Sequence, residues 1–404
     1  MKCNKPTVVI TSNLFKPSIG GVENSLHHLA LAYIDLGFQP IIVVSDLSIS
    51  DDVLPEYELS EGVQIYRYSM TKRYKLLGVS LPKPLSGILN AIALYKQINN
   101  KYHPQLLIAR YHFNQLFAKF SGIKNTLYLV PGVVKYQNSP KHISKNSFKS
   151  RLQWRYHMFL QYWAFRLSDR IAVFSHNMIH QVNNISAQKI SPLLTKPGVD
   201  MERFYPIPFA EKLMLREQLI YPCKGKIFLC VGRSVKAKGI DIALRAFAQL
   251  KGTEHQLWIV GDGPLIDEYK DLARELQITF QVVFFGVQSA PEQFYRAADF
   301  FIMSSIYEPL GQTILEALAS GLPILAFQPS SEIETATLEL VNDEQAIFTK
   351  HAEPTSLGKL MKSVSCWSDE KYTKKSLSCR KHAIDNFSWK SLACTLLGEF
   401  EYEK

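Results

Sequence analysis

The chain has 404 residues, of which 47% are hydrophobic and 20% charged, and it carries a formal net charge of +10. This length and composition are typical of two or three folded domains. No apolar run approaches the ~18 residues that a membrane-spanning helix needs, and the N-terminal run lacks the hydrophobic region and cleavage site of a signal peptide. These features exclude a membrane-spanning protein and predict a cytoplasmic one.

The six cysteines are scattered, without a CxxC pair or a histidine at metal-binding spacing. Such an arrangement is typical of free thiols in a reducing compartment. It does not support a structural metal site.

Strand-like and helix-like segments alternate from the first residues onward. Short β-rich runs occupy 7–11, 40–46, 105–110, 126–130 and 170–175. Between the first two, ENSLHHLALAYIDLG has apolar residues at helical spacing. This βαβ rhythm predicts a parallel sheet that helices cover on both faces.

The loop KPSIGGVE, residues 16–23, connects the first strand to the first helix. Gly20 and Gly21 leave room for a close backbone approach, and the helix N-terminus that follows would attract a phosphate. The loop lacks the GxGxxG and GK[ST] patterns of nucleotide-binding folds, so a simple tight turn explains it equally well.

Residues 135–166 combine Lys and Arg with Trp, Tyr and Phe, contain no acidic residue, and concentrate the excess positive charge. Such a segment could dock on anionic lipid, hold an acidic acceptor or touch nucleic acid. Because the aromatic residues recur at near-helical spacing, an ordinary helix with its aromatic side packed inward is the alternative.

Three prolines and a glycine between residues 193 and 208 interrupt the rhythm, as a linker would. Further β-rich runs then occupy 226–232, 255–263, 281–287, 299–305 and 323–327. The sequence thus predicts two α/β domains, 1–200 and 201–383, followed by a helical segment, 384–404, that packs back on the first. In two facing doubly wound domains, the ligand site is expected in the cleft, outside the carboxyl ends of the strands.

The segment VGRSVKAKG, residues 231–239, follows one of these buried strands. Its cations, Arg233, Lys236 and Lys238, could neutralise a diphosphate, with solvated surface cations as the alternative. The turn GDGP, residues 261–264, follows the next strand, and ordinary turn chemistry accounts for its glycines.

The stretch EPLGQTILEALASGLP, residues 308–323, contains two glutamates in different elements. Pro309 disfavours helical geometry at the preceding residue, which places Glu308 in the loop at the end of a strand. The helix is predicted to begin around Gly311 and to carry Glu316, so its N-terminus lies between the two acids. A phosphate bound there would have a carboxylate on each side; a solvated loop acid and a first-turn helix acid are the plain alternatives.

Taken together, these motifs resemble the retaining glycosyltransferases of family 4, the "glycosyl transferases group 1" family. The likeness covers most of the chain in the right order and is most specific in the second domain. Its motifs are KPSIGGVENSLHHLALAYIDLG, SDRIAVFSHNM, PGVDMERFYP, VGRSVKAKGIDIALRAFAQL, LWIVGDGP, the run from VVFFG to PILAF, and FSWKSLA. The resemblance implies the GT-B fold, an α/β architecture of two facing Rossmann-like doubly wound domains with the active site in the interdomain cleft.

The resemblance also implies roles for individual residues. Arg233 and Lys238 match the Arg and Lys that hold the diphosphate of a nucleotide-sugar donor. Glu308 matches the acid near the reacting carbon of the donor sugar, and Glu316 matches the acid that binds the ribose hydroxyls. The other expected donor contacts are the phosphate-approaching Gly20 and Gly21, the base-holding Gly286 and Val287, and the backbone N–H groups around Leu310, Gly311 and Gln312.

The implied reaction moves a sugar from a UDP- or GDP-sugar to an acceptor hydroxyl with retention of anomeric configuration. Arg233, Lys238 and the helix dipole would stabilise the leaving diphosphate, so no metal or other cofactor is expected. Glu308 would orient the sugar while the leaving phosphate accepts the nucleophile's proton. The expected acceptor is a polysaccharide, lipopolysaccharide or glycolipid precursor at the inner face of the plasma membrane, with 135–166 as the membrane contact; nucleic acid is not an expected partner.

Two positions depart from the family pattern. The loop VPGVVKY, after TLYLV, lacks the first-domain histidine that many members carry near the donor sugar. His112, with Arg110 beside it, is the candidate contact to acceptor or sugar, although a single histidine is often structural. The turn after PILAF reads FQPSSEIE, with serines in place of the usual glycines. Both departures bear on the choice of donor sugar.

Three other interpretations stay open. The chain could be a soluble transferase that acts on a small molecule or a protein. It could be an inactive GT-B-fold nucleotide-binding or scaffold protein, as the missing histidine allows, although Arg233, Lys238, Glu308 and Glu316 argue against this. A nucleotide-sugar epimerase of similar architecture is the third.

Overall fold

The computed structural model describes residues 5–17, 21–47, 54–76, 79–137, 148–186, 190–219 and 224–398. The chain divides into two compact units. The first comprises Met1–Tyr136, Ser147–Gly198 and Trp389–Lys404, and the second comprises Gln137–Asn146 and Val199–Ser388. The chain enters the longer segment of the second unit at Val199 and returns to the first unit at Trp389.

Strands and helices alternate through both units. The strands are β1 (Thr7–Thr11), β2 (Gln39–Ser45), β3 (Tyr57–Ser60), β4 (Val63–Tyr68), β5 (Lys75–Leu76), β6 (Val79–Ser80), β7 (Leu106–Ala109), β8 (Thr126–Leu129), β9 (Arg170–Val173), β10 (Leu193–Leu194), β11 (Ile227–Val231), β12 (Gln256–Val260), β13 (Val282–Gly286), β14 (Phe300–Met303), β15 (Tyr307–Glu308), β16 (Ile324–Phe327), β17 (Glu334–Thr335) and β18 (Ala346–Thr349). The α-helices are α1 (Gly21–Asp35), α2 (Lys83–Tyr102), α3 (His112–Phe120), α4 (Val134–Gln137), α5 (Phe148–Leu167), α6 (His176–Ser186), α7 (Phe209–Leu219), α8 (Ile240–Phe247), α9 (Ile266–Glu275), α10 (Glu292–Ala297), α11 (Gln312–Ala319), α12 (Thr337–Leu340), α13 (Pro354–Ser365), α14 (Asp369–Asn386) and α15 (Trp389–Leu397). Two 3₁₀ turns occupy Lys236–Lys238 and Ala248–Leu250.

The first unit is built on an eight-stranded sheet with the order β10-β9-β8-β7-β1-β2-β4-β3. Its central strands are apolar and fully buried, as both faces of a helix-covered parallel sheet require. All neighbouring pairs are parallel except the edge pair of β3 and β4. The β-rich runs predicted in this half each coincide with a strand, so this part of the prediction is confirmed.

The C-terminal helix α15 belongs to this first unit. Tyr33 on α1 donates a hydrogen bond to the carbonyl of Ala393 (3.2 Å), and the rings of His28 and Trp389 stack with centroids 5.5 Å apart. Leu392 and Leu396 of α15 are buried. The helix is thus held by one apolar face together with aromatic and hydrogen-bond contacts to α1.

The second unit contains a six-stranded, all-parallel sheet with the order β13-β12-β11-β14-β16-β18. Helices α8, α9 and α13 pack on one of its faces, and α10, α11 and α14 pack on the other. The five β-rich runs predicted here each contain a strand of this sheet, which confirms the βαβ pattern. The predicted β-rich runs do not include β4 and β18, because VQIYRY interleaves polar residues and AIFT is short.

Each sheet has a point at which the strand order reverses. In the first unit, β1 continues to β2 on one side and has β7 on the other; in the second, β11 continues to β12 on one side and has β14 on the other. In folds of this type, ligands bind outside the carboxyl ends of the strands at such a reversal point. Lys238 lies between β11 and α8, and Glu308 and Gly311 lie between β14 and α11, so these three residues assigned to donor binding follow the two strands at the reversal point of the second sheet.

In the part of the chain that the structure describes, no helix combines the length and apolar character needed to cross a membrane.

Candidate functional site

The loops that follow β11 and β14 are joined at the reversal point of the second sheet. Ser304 Oγ donates to the carbonyl of Lys238 (2.9 Å), and the Ile306 N–H donates to the carbonyl of Ala237 (2.9 Å). Gly239 has a φ of 58°, and a Cβ there would collide with the carbonyl oxygen of Ser304. Glycine at this position therefore allows the two loops to approach and fixes the start of α8.

Lys238 and Glu308 form an ion pair between these loops, Lys238 Nζ donating to Glu308 Oε2. Their side chains are 23% and 12% exposed, so the pair is partly shielded from solvent yet accessible. Glu308 lies in β15, which pairs with β17 through Glu308 and Thr335. Its predicted placement in a loop at the end of a main-sheet strand is wrong: Pro309 does exclude a helix there, but pairing with β17 makes the segment a strand of its own.

Helix α11 begins at Gln312, with Gly311 as its N-cap at a φ of 77°. The predicted helix start is therefore confirmed. The N–H of Gly311 donates to Glu308 Oε1 (3.3 Å), so a carboxylate lies at the positive end of the helix dipole. An anionic ligand would be favoured at the same position for the same reason.

Glu316 projects from α11 toward α10 and is partly buried. Its Oε2 accepts a hydrogen bond from the hydroxyl of the fully buried Tyr295 (2.7 Å). Burial raises the pKa of Glu316 to about 7, and the bond from Tyr295 and the charge of Arg203 offset this only in part. Near neutral pH this side chain can either donate or accept a hydrogen bond.

The residues that support Glu316 are not indicated by any motif of the sequence. Besides Tyr295, Arg203 lies nearby and donates from Nε to Glu292 Oε2 (2.8 Å) and from Nη2 to the carbonyl of Ser289 (3.1 Å). Arg203 lies in the predicted linker, 193–208, and Glu292 and Tyr295 lie in the short helix α10. Arg203, helix α10 and Glu316 are separated in the sequence, so local patterns do not predict the contacts between them.

Arg233 is exposed immediately after β11. The neighbouring GDGP turn packs on the same loop: Ser234 N–H donates to the carbonyl of Asp262 (2.9 Å), and a Cβ on Gly263 would come 2.7 Å from the carbonyl oxygen of Ser234. Gly261 has a φ of 123°. Backbone geometry and close packing thus account for both glycines of the turn.

Gly286 ends β13 with a φ of 67°, and its carbonyl accepts a hydrogen bond from Gly261 (2.7 Å). The next residue, Val287, is 69% exposed. An exposed apolar side chain therefore lies at the carboxyl end of the edge strand. It offers a surface against which a flat ring could pack.

The structure thus brings Lys238, Glu308 and Gly311 into one chain of contacts. Glu316 lies further along α11 and bonds to Tyr295 instead. Leu310 and Gln312 flank Gly311 at the helix start.

In the first unit, the predicted Gly21 opens α1, while Gly20 lies outside the described residues. Arg110 directly follows β7 at the reversal point of the sheet and is only 2% exposed. Its Nε and Nη2 atoms are buried and find no hydrogen-bond partner among the described residues. The guanidinium lies 5.4 Å from the ring centroid of Phe174, and burial lowers its pKa to about 10, an effect that Tyr128 and Glu23 oppose. A buried cation with unused donors is costly unless an anion satisfies them.

His112 opens α3 and is 3% exposed. Its Nε2 lies 3.0 Å from Nδ1 of His157 on α5, at hydrogen-bond distance, and the rings of Tyr111 and Phe113 pack around it. Burial, with a smaller contribution from His157, lowers the pKa of His112 to about 3. The imidazole is therefore neutral across the physiological range, which suits a packed hydrogen-bonding role.

Within the described ranges, no cluster of three or more His, Cys, Asp or Glu side chains could hold a metal ion.

The raised pKa of Glu316 predicts a pH dependence of stability. The folded chain holds this proton up to about pH 7, whereas the unfolded chain releases it near 4.5. Stability is therefore lost as pH rises through this window, by an expected ~1–2 kcal/mol after allowance for partial exposure. Glu316→Gln should flatten this part of a plot of urea midpoint against pH. Glu275→Gln, on the exposed face of α9, serves as the control, and parallel plots for wild type and Glu316→Gln would contradict the prediction.

Residues 212–372 match the family profile described as "Glycosyl transferases group 1". Among curated relatives, the lipopolysaccharide core biosynthesis glycosyltransferase LpsE of Rhizobium meliloti is 38% identical over 111 residues, covering 28% of this chain and 32% of LpsE. Alpha-monoglucosyldiacylglycerol synthase of Streptococcus pneumoniae is 33% identical over 144 residues, covering 34% of this chain and 33% of that protein. The matches span between 30% and 47% of the length of the first curated relatives.

Similarity to solved structures extends over nearly the whole chain. Anabaena Alr3699/HepE, solved in complex with UDP and glucose, superposes with a TM-score of 0.72 at 18% identity and covers 95% of each chain. At this identity the likeness establishes the fold, and it confirms the GT-B architecture. Residues 212–372 therefore match the glycosyl transferases group 1 family, within a chain whose two α/β units have the GT-B fold.

Proposed function

We propose that this chain is a retaining glycosyltransferase of family 4, which moves a sugar from a nucleotide-diphosphate sugar to an acceptor hydroxyl. The observation that carries the proposal is the accessible Lys238–Glu308 pair beside the N-terminus of α11, at the reversal point of the second sheet. A cation and a helix dipole stabilise the negative charge of a departing diphosphate, and a carboxylate beside them can orient the donor sugar. The similarity to named glycosyltransferases supports the same activity.

In the proposed complex, the donor diphosphate takes over contacts that the protein now makes with itself. The carboxylate of Glu308 accepts hydrogen bonds from both Lys238 Nζ and the N–H of Gly311. A diphosphate would compete for both donors, since it carries more charge than a single carboxylate. Glu308, displaced from them, would then be free to accept hydrogen bonds from the donor sugar and orient its reacting carbon.

The strand order supports a matching location for the nucleoside. Neighbouring strands lie ~4.8 Å apart, so the end of β13 is ~10 Å from the end of β11, about the span from a base to its diphosphate. Gly286 and Val287 lie at the β13 end and are proposed to hold the base. Glu316, once ionised, is proposed to accept hydrogen bonds from the ribose hydroxyls.

We further propose a UDP- or GDP-sugar as donor and a metal-independent mechanism. UDP occupies the structurally similar Anabaena protein, which supports the first choice. Lys238, the exposed Arg233 and the α11 dipole would supply the positive charge that a metal ion provides in other transferases.

For the acceptor, we propose a glycan or lipid-linked precursor of a surface polysaccharide, lipopolysaccharide or glycolipid, used at the inner face of the membrane. The names of LpsE and alpha-monoglucosyldiacylglycerol synthase support this class. Arg110 has unused donors at the reversal point of the first sheet and is proposed to contact an anionic group of acceptor or sugar. The neutral, buried His112 would act beside it by positioning or packing.

A thermal-shift screen with UDP, GDP, ADP and their sugar conjugates, in the presence of EDTA, tests the proposal. A nucleotide at a hundred times its Kd should stabilise the protein by ~2.7 kcal/mol. Failure of every nucleotide to raise the Tm would refute the donor site. Stabilisation by a nucleotide, without release of nucleotide diphosphate from any nucleotide sugar in the presence of glycolipid acceptors, would instead identify a binding or scaffold protein.

A further inference from the structure

Helix α5 packs into the first unit through the face that carries Gln161 and Phe165. Gln161 is buried, accepts a hydrogen bond from the N–H of Val134 (2.8 Å) and donates to the carbonyl of Gly132 (3.0 Å). Phe165 is 1% exposed, and its ring packs against that of Tyr128 with centroids 5.6 Å apart. These contacts fix which side of α5 faces the core.

The opposite face of α5 carries large apolar side chains that are exposed. Leu152 is 62% exposed, Tyr156 50%, Phe159 60% and Trp163 40%. Their spacing of four, three and four residues places them within ~60° of one another around the helix, on a single line ~16 Å long. We call these four residues the α5 stripe.

Exposed cations flank the α5 stripe. At 100° per residue, Lys149 lies about 50° to one side of its centre, and Arg155 and Arg166 lie about 50–70° to the other. The buried Gln161 lies about 170° away, on the inner face. The sequence contains no acidic residue between 135 and 166 that could offset this charge.

This arrangement reverses the usual order of a surface helix, whose apolar side faces the core and whose outer side is polar. Three aromatic residues of the segment, Tyr156, Phe159 and Trp163, are thus exposed, whereas Phe165 packs in the core. A continuous row of exposed apolar side chains marks an interaction surface. Aromatic and leucine side chains between flanking cations match the interface of an anionic bilayer, where the rings lie at the headgroup level and the cations bind lipid phosphates.

We propose that the α5 stripe and its flanking cations dock this protein on an anionic lipid bilayer, with α5 lying in the plane of the headgroups. The acid-free charge favours a lipid surface over a second copy of the chain, because two copies of this face would bring their cations together. Docking requires neither nucleotide nor turnover, so it can be tested independently of the proposed transferase activity.

The full chain should bind vesicles of phosphatidylcholine with 30% phosphatidylglycerol in a flotation assay, at least about tenfold more tightly than vesicles of phosphatidylcholine alone. The double variant Phe159→Ser/Trp163→Ser should weaken binding about tenfold or more. Phe120→Ser removes an apolar side chain that is 61% exposed on α3, and it should bind as wild type does. Circular dichroism and Tm confirm that each variant is folded.

Charge is tested separately with Lys149→Glu/Arg155→Glu, which should abolish the preference for anionic vesicles. Lys83→Glu/Lys96→Glu makes the same change in net charge on α2, where both lysines are exposed, and should retain most of the binding. Equal loss in both charge variants would show attraction by net charge alone and overturn the proposal. The proposal would also be overturned if Phe159→Ser/Trp163→Ser bound vesicles as tightly as wild type. The same holds if sedimentation showed that this variant converts a dimer to a monomer while vesicle binding stays unchanged.

Discussion

Replacing Lys238 by alanine is expected to lower kcat for sugar transfer about 10²–10³-fold. The substitution removes the cation proposed to stabilise the leaving diphosphate. It also leaves Glu308, only 12% exposed, without its ion-pair partner at the place where the phosphates would bind. Two effects therefore act together: a lost attraction and a new repulsion. The rate of nucleotide diphosphate release from the donor measures the lost stabilisation of the leaving group. The nucleotide Kd, measured by calorimetry, reports the lost attraction and the new repulsion together.

Lys236→Ala is the matched control, because Lys236 lies in the same 3₁₀ turn and its side chain is exposed. It should change kcat and Kd little. The double variant Lys238→Ala/Glu308→Gln should recover part of the nucleotide affinity, since the repulsive charge is gone, but none of the turnover. A Lys238→Ala enzyme with nearly normal kcat would refute its assigned role. Arg233→Ala tests the other proposed phosphate cation in the same assays, where it too should lower kcat strongly.

Much of the fold could be predicted because its determinants are local. Buried parallel strands require continuous apolar runs, and the chain has them at β1, β7, β11 and β14. The start of α11 was equally readable, since a glycine between a proline and an apolar periodic segment indicates a helix boundary. These patterns depend on a few neighbouring residues, so they can be interpreted without knowledge of the tertiary structure.

The rest depends on contacts between segments that are distant in the sequence. Glu308 pairs with β17, and Glu316 bonds to Tyr295, 21 residues earlier in the chain. The outward orientation of the α5 stripe follows from Gln161 and Phe165 being held inside. A helix with aromatics around most of its circumference does not reveal from spacing which side the core will take.

Asp299 and Asp169 occupy equivalent positions in the two units. Each lies next to a strand, β14 or β9, and accepts a hydrogen bond from the N–H of the first residue of the neighbouring strand, Ile227 or Thr126, at 2.8 Å. Each also pairs with a cation. The local geometry is therefore shared, and the two sites differ mainly in burial and in the number of cations.

Asp299 is deeply buried and contacts two cations, Arg216 Nη2 at 2.7 Å and Lys212 Nζ at 3.6 Å. The side chain of Asp299 is 4% exposed, that of Arg216 2% and that of Lys212 9%. Asp169 is 42% exposed, and among the described residues its ion-pair partner is Lys119, at 2.8 Å. A buried ion pair that loses one partner leaves a charge that water cannot reach, whereas a half-exposed pair is replaced by solvent. Burial already lowers the pKa of Lys212, and Asp299 opposes that shift.

Asp299→Asn is therefore expected to destabilise the second unit by about 3–5 kcal/mol, and Asp169→Asn to destabilise the first by about 1 kcal/mol or less. Because the chain has two units, hydrogen exchange of β11 and β8 amides, measured by mass spectrometry, reports each unit separately. Exchange in β11 should accelerate by two or more orders of magnitude in the first variant, and exchange in β8 by about one at most in the second. Similar acceleration at the two sites would mean that the shared strand-end hydrogen bond, rather than the buried charge network, carries the stability.

In the expected case, Lys212 and Arg216 are left without their anion at the amino end of β11 and β14, the two strands whose opposite ends position the Lys238–Glu308 pair. Nucleotide affinity should then fall in Asp299→Asn, although Asp299 lies at the far end of the sheet from the proposed donor site.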